Sequence, residues 1–209
     1  MKAKRHCRLP SGKELTVGEG TLVMGILNVT PDSFSDGGKW NTLDQALDHA
    51  LSMVEDGAAI IDVGAESSRP GFVPIPAAEE IERLAPFLEH IAPKIPVPIS
   101  IDTFKAETAR AAVELGADIL NDIWGLQYAA EERGAMARVA AECHAPVVVM
   151  HNQEGTEYRA DIIAAMQDFF RESCAIAEAA GVAKESLIFD PGIGFGKTPA
   201  ANIEVLHRL

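Results

Sequence analysis

Several short stretches of this 209-residue sequence place oxygen- and nitrogen-bearing side chains directly after an apolar run. Asp102, Asn121 and Asp190 each stand at the end of such a run, and they lie far apart in the chain. A carboxylate accepts hydrogen bonds from N–H donors, and a primary amide offers both a donor and an acceptor. If these three side chains meet, they suit one edge of a planar heterocycle that carries several N–H groups.

Further residues are candidates for the same pocket. Asn28 ends the first apolar run, and its side-chain oxygen suits a hard cation such as Mg²⁺. Arg69 directly precedes Pro70, so its guanidinium is expected on a stiff turn. Met150 is interpreted as an apolar wall of the pocket rather than as a ligand.

A glycine-rich run lies near the C-terminal end of the sequence. Gly192, Gly194 and Gly196 are expected to let the backbone come close to a flat ligand, with Phe195 as an apolar lid. Lys197 is expected either to neutralise a local charge or to begin the helix that follows.

Most of these residues also have a simpler structural interpretation. Asp102 precedes a helical pattern, and either Asp102 or Thr103 could cap the N-terminus of that helix. Asn121 stands before an aspartate, and such a pair could form a turn. Arg69 could be a solvated surface residue or could pair locally with Glu66. His151 is predicted to be a structural histidine rather than a catalyst.

The elements that must position these residues alternate between apolar runs and helical patterns, which indicates parallel βα units. The predicted strands are residues 21–29, 59–63, 97–101, 118–121, 146–151 and 186–190. The predicted helices are residues 42–55, 76–92, 105–115, 131–142, 161–180 and 199–209, after an N-terminal hairpin over residues 7–20. Residue 42, a threonine, is a plausible N-cap, and Gly57 and Gly116 are expected to end two of the helices.

This order predicts an α/β fold, and the polar strand ends favour a TIM (β/α)8 barrel. A TIM barrel collects its site from the carboxyl ends of many strands. An open doubly wound sheet concentrates its site at one switch point, usually behind a glycine-rich phosphate loop that is missing after the first strand here. About six βα units are present, so residues 1–209 are expected to be a single barrel domain that lacks its last two units. An open seam would expose apolar edges, so we expect either a fragment or a neighbour that completes the barrel.

The composition limits the class of protein. The formal net charge is -13 and 47% of the residues are hydrophobic, which argues against nucleic acid as a partner because duplex binding needs clustered basic residues. No apolar run is long enough to cross a membrane, and the basic N-terminus lacks the apolar segment of a secretory signal. Three widely spaced cysteines predict neither a disulfide framework nor a metal site. The expected compartment is the cytoplasm.

Five motifs together resemble the dihydropteroate synthase family. They are LNVTPDSFSDGG, ESSRPG, SIDT, NDI and DPGIGFGKT, at residues 27–38, 66–71, 100–103, 121–123 and 190–198. The resemblance implies a TIM barrel of the pterin-binding type, often a homodimer. It implies a Mg²⁺-using transferase of folate biosynthesis, the sulfonamide target, which joins 6-hydroxymethyl-7,8-dihydropterin pyrophosphate to 4-aminobenzoate.

The resemblance also implies roles for individual residues. Asp102 and Asn28 would be catalytic together with Arg69, and Asn28 would lie near Mg²⁺ and the pyrophosphate. The substrate-binding residues would be Asp102, Asn121, Ile123, Met150, Asp190, Gly194 and Phe195 for the pterin, and Ser68, Arg69 and Pro70 for the aminobenzoate. Residues 30–38 would form a mobile lid.

The chain departs from the family in three places, one of which is the stretch after His151 (residues 152–161), where a shorter and more apolar form is expected. The family has a Ser-Arg-Lys loop after the seventh strand and a basic segment after the eighth, and this sequence has neither. We therefore predict that the isolated chain has little or no synthase activity. Two other functions stay open from the sequence: a methyltetrahydrofolate-type pterin methyltransferase, or a non-catalytic, truncated pterin-binding fragment.

Overall fold

The computed structural model describes residues 4–29, 39–66, 73–159 and 161–209. Its strands are β1 (Arg5–Arg8), β2 (Glu14–Val17), β3 (Val23–Asn28), β4 (Ala58–Gly64), β5 (Ile99–Asp102), β6 (Ile119–Asp122), β7 (Val147–Met150) and β8 (Leu187–Asp190). Its α-helices are α1 (Lys39–Glu55), α2 (Ala77–His90), α3 (Ala106–Glu114), α4 (Ala135–Cys143), α5 (Ile162–Ala180) and α6 (Pro199–Arg208).

Every predicted strand and helix is present, and most bounds differ from the prediction by a few residues. Gly57 and Gly116 have φ values of 105° and 103°, which confirms that these glycines follow helix ends. Two predicted starts are wrong. Helix α1 already includes Lys39, so residue 42 lies inside the helix rather than at its cap. Helix α4 begins only at Ala135, because turns occupy the residues just before it.

Strands β3 to β8 form one parallel sheet in which each strand pairs with the next strand in the chain. A doubly wound sheet would show a reversal of strand order, and this sheet has none among the described strands. The order is that of a singly wound barrel wall, as predicted. Strands β1 and β2 form the predicted antiparallel hairpin.

The outer face of the sheet packs on the helices. Leu27, Val63 and Ile101 are adjacent in the strand register, and all three are buried in one core with helices α1 and α2. A second core joins β6 and β7 to helices α3, α4 and α5. Burial on both faces explains why the strands are continuously apolar in the sequence.

The inner face of the sheet is closed at its amino end by the hairpin. Leu9 and Leu15 pack against Ile60, Ile119 and Val148, which all point inward. This apolar plug occupies the end of the sheet at which the strands begin. Polar chemistry on the inner face is therefore confined to the carboxyl ends of the strands.

The outermost strands of the described sheet expose apolar side chains. Ile26 on β3 is 66% exposed and Phe189 on β8 is 49% exposed. This confirms the expectation that an open seam exposes apolar edges. Among the described helices, none is long and apolar enough to span a bilayer.

Asp118 joins the hairpin to the barrel wall. Its fully buried carboxylate accepts hydrogen bonds from the backbone N–H groups of Ser11 (3.2 Å) and Ile99 (3.1 Å). The ammonium group of Lys13 lies 3.9 Å away and donates to the carbonyl oxygen of Val97 at 3.0 Å. Through these contacts of Asp118 and Lys13, the hairpin is fixed against strands β5 and β6.

We predict that Asp118→Ala lowers the free energy of unfolding by about 1–3 kcal/mol, because the buried N–H of Ile99 and the partly buried N–H of Ser11 lose their acceptor. Urea unfolding followed by circular dichroism measures the change. The control is Asp168→Ala, whose carboxylate is exposed in an ion pair with Arg171 and should change stability by less than about 0.5 kcal/mol. Equal losses in the two variants would contradict the role given to Asp118.

Candidate functional site

The strand register places four residues of the site side by side. Asn28 pairs with Gly64, Gly64 with Asp102, and Asp102 with Asn121. Register partners in a parallel sheet point to the same face, and this face is the inner one because Ile60 and Ile119 belong to it. Asn28, Asp102 and Asn121 thus project into the barrel from three different strands.

The same register reaches Asp190 through β7. Asn121 pairs with Val148, and Met150, two residues further on, pairs with Asp190. Val148 is an inner-face residue of the apolar plug, so Met150 and Asp190 also face inward. The structure therefore brings Asp102, Asn121 and Asp190 to the carboxyl end of one inner face.

Gly64 leaves space between two of these side chains. A methyl group on Gly64 would lie 3.6 Å from both Asn28 Oδ1 and Asp102 Oδ2. The two oxygens therefore approach the same point above the Gly64 backbone. A ligand atom could reach both of them there because glycine has no side chain.

Asn121 is hydrogen-bonded to Asp62, which lies nearer the amino end of the sheet. The Asn121 Nδ2 group donates a hydrogen bond to Asp62 Oδ2 at 3.0 Å. Burial raises the pKa of the Asp62 carboxyl, and the nearby Ser100 hydroxyl and Asn121 amide offset part of this rise. Asp62 is not among the predicted site residues, although a lone carboxylate inside an apolar run is a visible signal.

Asp190 closes the turn that follows β8. Its Oδ1 atom accepts a hydrogen bond from the backbone N–H of Gly192 at 2.7 Å. The backbone carbonyl of Asp190 accepts from the N–H of His151 at 2.9 Å, which ties β8 to β7. The carboxylate is thereby fixed at the rim and is partly exposed to solvent.

The apolar walls form a separate cluster at the same end of the barrel. Phe104, Ile123 and Met150 are buried together, and Trp124, Tyr128 and Phe195 pack on them. A cavity of about 570 Å³ opens beside this cluster. Its lining residues are Pro74, Ile123, Trp124, Tyr128, residues 152–156 and residues 194–197.

The cavity contains only part of the predicted site. Ile123, Gly194 and Phe195 line it, whereas Asp102, Asn121 and Asp190 are not among its lining residues. The oxygen-bearing strand ends and the loop cavity are thus two neighbouring parts of the same barrel end. Phe195, which packs with Met150, lies where they meet.

Part of the predicted site lies outside the described residues. Ser68, Arg69 and Pro70 fall within residues 67–72, and the predicted lid falls within residues 30–38. Glu66, the suggested partner of Arg69, has two hydrogen-bond partners among the described residues. Its carboxylate contacts Lys105 Nζ and accepts from the backbone N–H of residue 75 at 2.6 Å.

The simpler interpretation of Asp102 is wrong, and that of the Asn121-Asp122 pair holds for its second member only. The N-cap of helix α3 is Lys105, without a side-chain hydrogen bond, so Asp102 does not cap this helix. The turn after β6 is formed by Asp122 rather than by Asn121. The carboxylate of Asp122 accepts from the backbone N–H groups of Trp124 (2.8 Å) and Leu126 (2.7 Å).

The glycine-rich run has a different role from the one predicted. A side chain at Gly192 would clash with the carbonyl oxygen of His151, and one at Gly196 would lie 2.7 Å from the carbonyl oxygen of Gln153. These two glycines let backbone approach backbone rather than a ligand. Only Gly194 faces open space as expected, since a methyl group placed there would have nothing within 4 Å.

Lys197 fixes the shape of this run. Its ammonium group donates to the carbonyl oxygens of Gly192 and Phe195, each at 2.9 Å, and of His151 at 3.3 Å. Burial lowers the pKa of Lys197 to about 8. The helix that follows is capped by Thr198, so Lys197 does not begin it.

His151 lies beneath the loops as a buried ring. It is 2% exposed and stacks near Tyr158, with Phe169 and Phe170 edge-on. Burial, followed by the nearby charge of Lys197, lowers the pKa of His151 to about 4. The buried ring agrees with the structural role predicted for this residue, but its Nδ1 atom has no hydrogen-bond partner among the described residues, so the ring is not fully satisfied.

We predict that Gly192→Ala destabilises the protein far more than Gly194→Ala. Both glycines have positive φ, 65° and 93°, so both variants bear the strain of a left-handed residue, about 1–2 kcal/mol. Only Gly192→Ala adds a clash with backbone. Thermal unfolding of the two variants measures the difference, and equal melting temperatures would contradict the close approach.

We predict that stability depends on pH through two opposing groups. The lowered pKa of His151 makes the protein more stable as pH rises from about 4 to 6.5, because the unfolded chain holds the proton longer. Burial raises the pKa of Asp122 to about 6, which makes the protein less stable as pH rises from about 4 to 6. Each contribution is about 3 kcal/mol and the two have opposite signs. The raised pKa of Asp62 acts in the same direction as that of Asp122.

The test removes one of the two groups. His151→Phe should leave the Asp122 contribution unopposed, so this variant loses stability between pH 4 and 6 relative to the unmodified chain. Urea unfolding at several pH values measures the difference. Parallel pH profiles for the two proteins would show that His151 is not buried in its neutral form.

Comparison with known proteins agrees with this geometry. Residues 24–209 match the family described as pterin binding enzyme. The dihydropteroate synthase of Bacillus subtilis is 51% identical over 195 residues, which cover 93% of this chain and 67% of that protein. The enzyme of Clostridium beijerinckii is 47% identical over 197 residues, covering 94% of this chain and 71% of that protein.

Solved structures show the same fold. A dihydropteroate synthase from Clostridium difficile, determined in the presence of pteroic acid, superposes with a TM-score of 0.85 at 49% identity, covering 91% of this chain and 71% of that one. The Xanthomonas albilineans enzyme with 4-aminobenzoic acid gives a TM-score of 0.85 at 41% identity, covering 97% and 72%. The described sheet is thus part of a TIM barrel, and the chain belongs to the dihydropteroate synthases of the pterin-binding enzyme family.

Proposed function

We propose that the inner-face residues Asp102, Asn121 and Asp190 bind the N–H-bearing edge of a pterin and that this site serves dihydropteroate synthesis. The reaction joins 6-hydroxymethyl-7,8-dihydropterin pyrophosphate to 4-aminobenzoate and gives 7,8-dihydropteroate and pyrophosphate. The register that aligns the three side chains on one face is the observation that carries the proposal.

The chemistry needs no nucleophile from the protein. The C–O bond between the pterin methylene carbon and pyrophosphate breaks as the ring donates electrons to that carbon. The aromatic amine then forms the new C–N bond and releases one proton. Asp102 accepts hydrogen bonds from the ring edge, so it stabilises the developing positive charge more than the ground state.

The walls hold the ring in place. Met150 and Phe195 pack in one apolar cluster with Ile123 at the carboxyl end of the barrel. A planar bicyclic ring gains both apolar contact and restricted orientation between such side chains. Gly194 leaves the approach to Phe195 open.

A magnesium ion is compatible with the residues at Asn28. Within the described residues, no group of three histidine, cysteine or acidic side chains could hold a metal. Mg²⁺ that travels with a pyrophosphate usually takes only one or two protein oxygens, and Asn28 Oδ1 near the open space at Gly64 can supply one. When bound, the ion would neutralise charge on the departing pyrophosphate.

A homodimer is a further part of the proposal. Helix α6 carries Ile203 and Leu206, which are 59% and 60% exposed. Residues three apart lie on the same face of a helix, so these two side chains mark the face that the proposal assigns to pairing. Light scattering of the purified chain would report a mass of two copies if this surface pairs.

The proposal predicts that the chain binds pteroic acid and that Asp102→Asn weakens this binding about 10- to 100-fold. The amide replaces one acceptor by a donor, and a lost hydrogen bond to a charged group costs about 1.5–3 kcal/mol. Calorimetry measures the dissociation constants. Asp168→Asn, at an exposed carboxylate, is the control and should bind within about twofold of the unmodified chain.

A product assay separates the proposed reaction from methyl transfer. Little or no turnover is predicted for the isolated chain, so the assay reports which reaction occurs rather than its rate. Any pyrophosphate release that depends on 4-aminobenzoate, even if slow, supports the synthase. Demethylation of methyltetrahydrofolate without pyrophosphate release would instead support the pterin methyltransferase. Unchanged pteroic acid binding by Asp102→Asn would show that the ring does not lie at Asp102.

A further inference from the structure

Asp62 is a buried carboxylate on the inner face for which the proposed reaction has no role. It is 5% exposed and pairs in register with Ile26 on one side and Ser100 on the other. It lies one inward-facing position before Gly64 on β4. A buried carboxylate costs free energy unless it is well bonded, so its presence needs a physical reason.

The one hydrogen bond of Asp62 to a side chain of the site goes to Asn121. Asn121 Nδ2 donates to Asp62 Oδ2 at 3.0 Å. Asp62 Oδ1 and Ser100 Oγ have no hydrogen-bond partner of normal geometry among the described residues, although Ser100 is close enough to lower the pKa of the Asp62 carboxyl. The contact with Asn121 is therefore the hydrogen bond of normal geometry that links Asp62 to a proposed ligand-binding side chain.

This contact determines which way the Asn121 amide is turned. An ionised carboxylate only accepts hydrogen bonds, whereas an amide has a donor end and an acceptor end. Because the carboxylate of Asp62 accepts the hydrogen bond, the NH₂ end of Asn121 must face it. The carbonyl oxygen and the second N–H then remain for a ligand in a fixed order.

We propose that Asp62 is a positioning residue that fixes the orientation of the Asn121 amide for recognition of the pterin edge. Without Asp62, the amide can rotate by half a turn and present its donor where the ring also has a donor. This inference rests on the proposed binding of a pterin at Asn121. It predicts that Asp62 acts on the ligand only through Asn121.

A double-mutant cycle tests this dependence. Pteroic acid binding is measured by calorimetry for the unmodified chain, Asp62→Ala, Asn121→Ala and the double variant. Asp62→Ala should weaken binding at least tenfold in the unmodified chain and less than twofold in the Asn121→Ala background. Asp168→Asn changes an exposed carboxylate of helix α5 and should bind within twofold of the unmodified chain.

A second measurement covers the case in which Asp62→Ala does not fold. Asp62→Asn keeps the size of the side chain but can either donate or accept, so it does not fix the amide. In ¹⁵N-correlated spectra of the free protein, the Asn121 side-chain amide, identified by its loss in Asn121→Ala, should shift and broaden in Asp62→Asn. A structural role elsewhere would leave these signals unchanged.

The outcomes separate the inference from the proposed function. Equal weakening by Asp62→Ala in both backgrounds, or unchanged Asn121 amide signals in Asp62→Asn, would overturn the positioning role while pterin binding stands. Failure of the unmodified chain to bind pteroic acid would overturn the proposed function itself.

Discussion

The site depends on the register of six parallel strands, each paired with the next in the chain, which on β3 runs without a shift from Met24 to Asn28. Because side chains alternate between faces at every residue, a slip of one position would turn Asp102 outward toward the helices and Ile101 inward. The outer face prevents such a slip, since Leu27, Val63 and Ile101 are buried beneath α1 and α2. Apolar packing on the outside thus determines where the polar groups lie on the inside.

The inner face of the sheet has an apolar part at its amino end and a polar part at its carboxyl end. At the amino end the hairpin supplies Leu9 and Leu15, and Asp118 fastens the hairpin to the wall. At the carboxyl end, buried charged groups have bonded partners. Asp62 bonds Asn121, and Lys197 bonds three carbonyl oxygens. Partners of this kind offset the cost of burying charge and hold the site in a single arrangement.

The sequence predicts the elements well because long β-branched runs and helix-ending glycines are local signals. It also predicts that Asp102, Asn121 and Asp190 lie together, since each directly ends an apolar run, and the register places them on one face. The sequence could not reveal that Gly192 and Gly196 pack closely against the backbone of His151 and Gln153. These partners are distant in the chain. The bond between Asp62 and Asn121 was hidden for the same reason: their separation of 59 residues carries no local pattern.

The central claim is that three strand-end side chains bind one flat ring. A crystal structure of the chain with pteroic acid tests this most directly. We expect the N–H-bearing edge of the pterin to lie within about 2.7–3.2 Å of oxygen or nitrogen atoms of Asp102, Asn121 and Asp190. A pterin bound in the loop cavity beside Trp124 and Tyr128, without contact to these three residues, would contradict the claim.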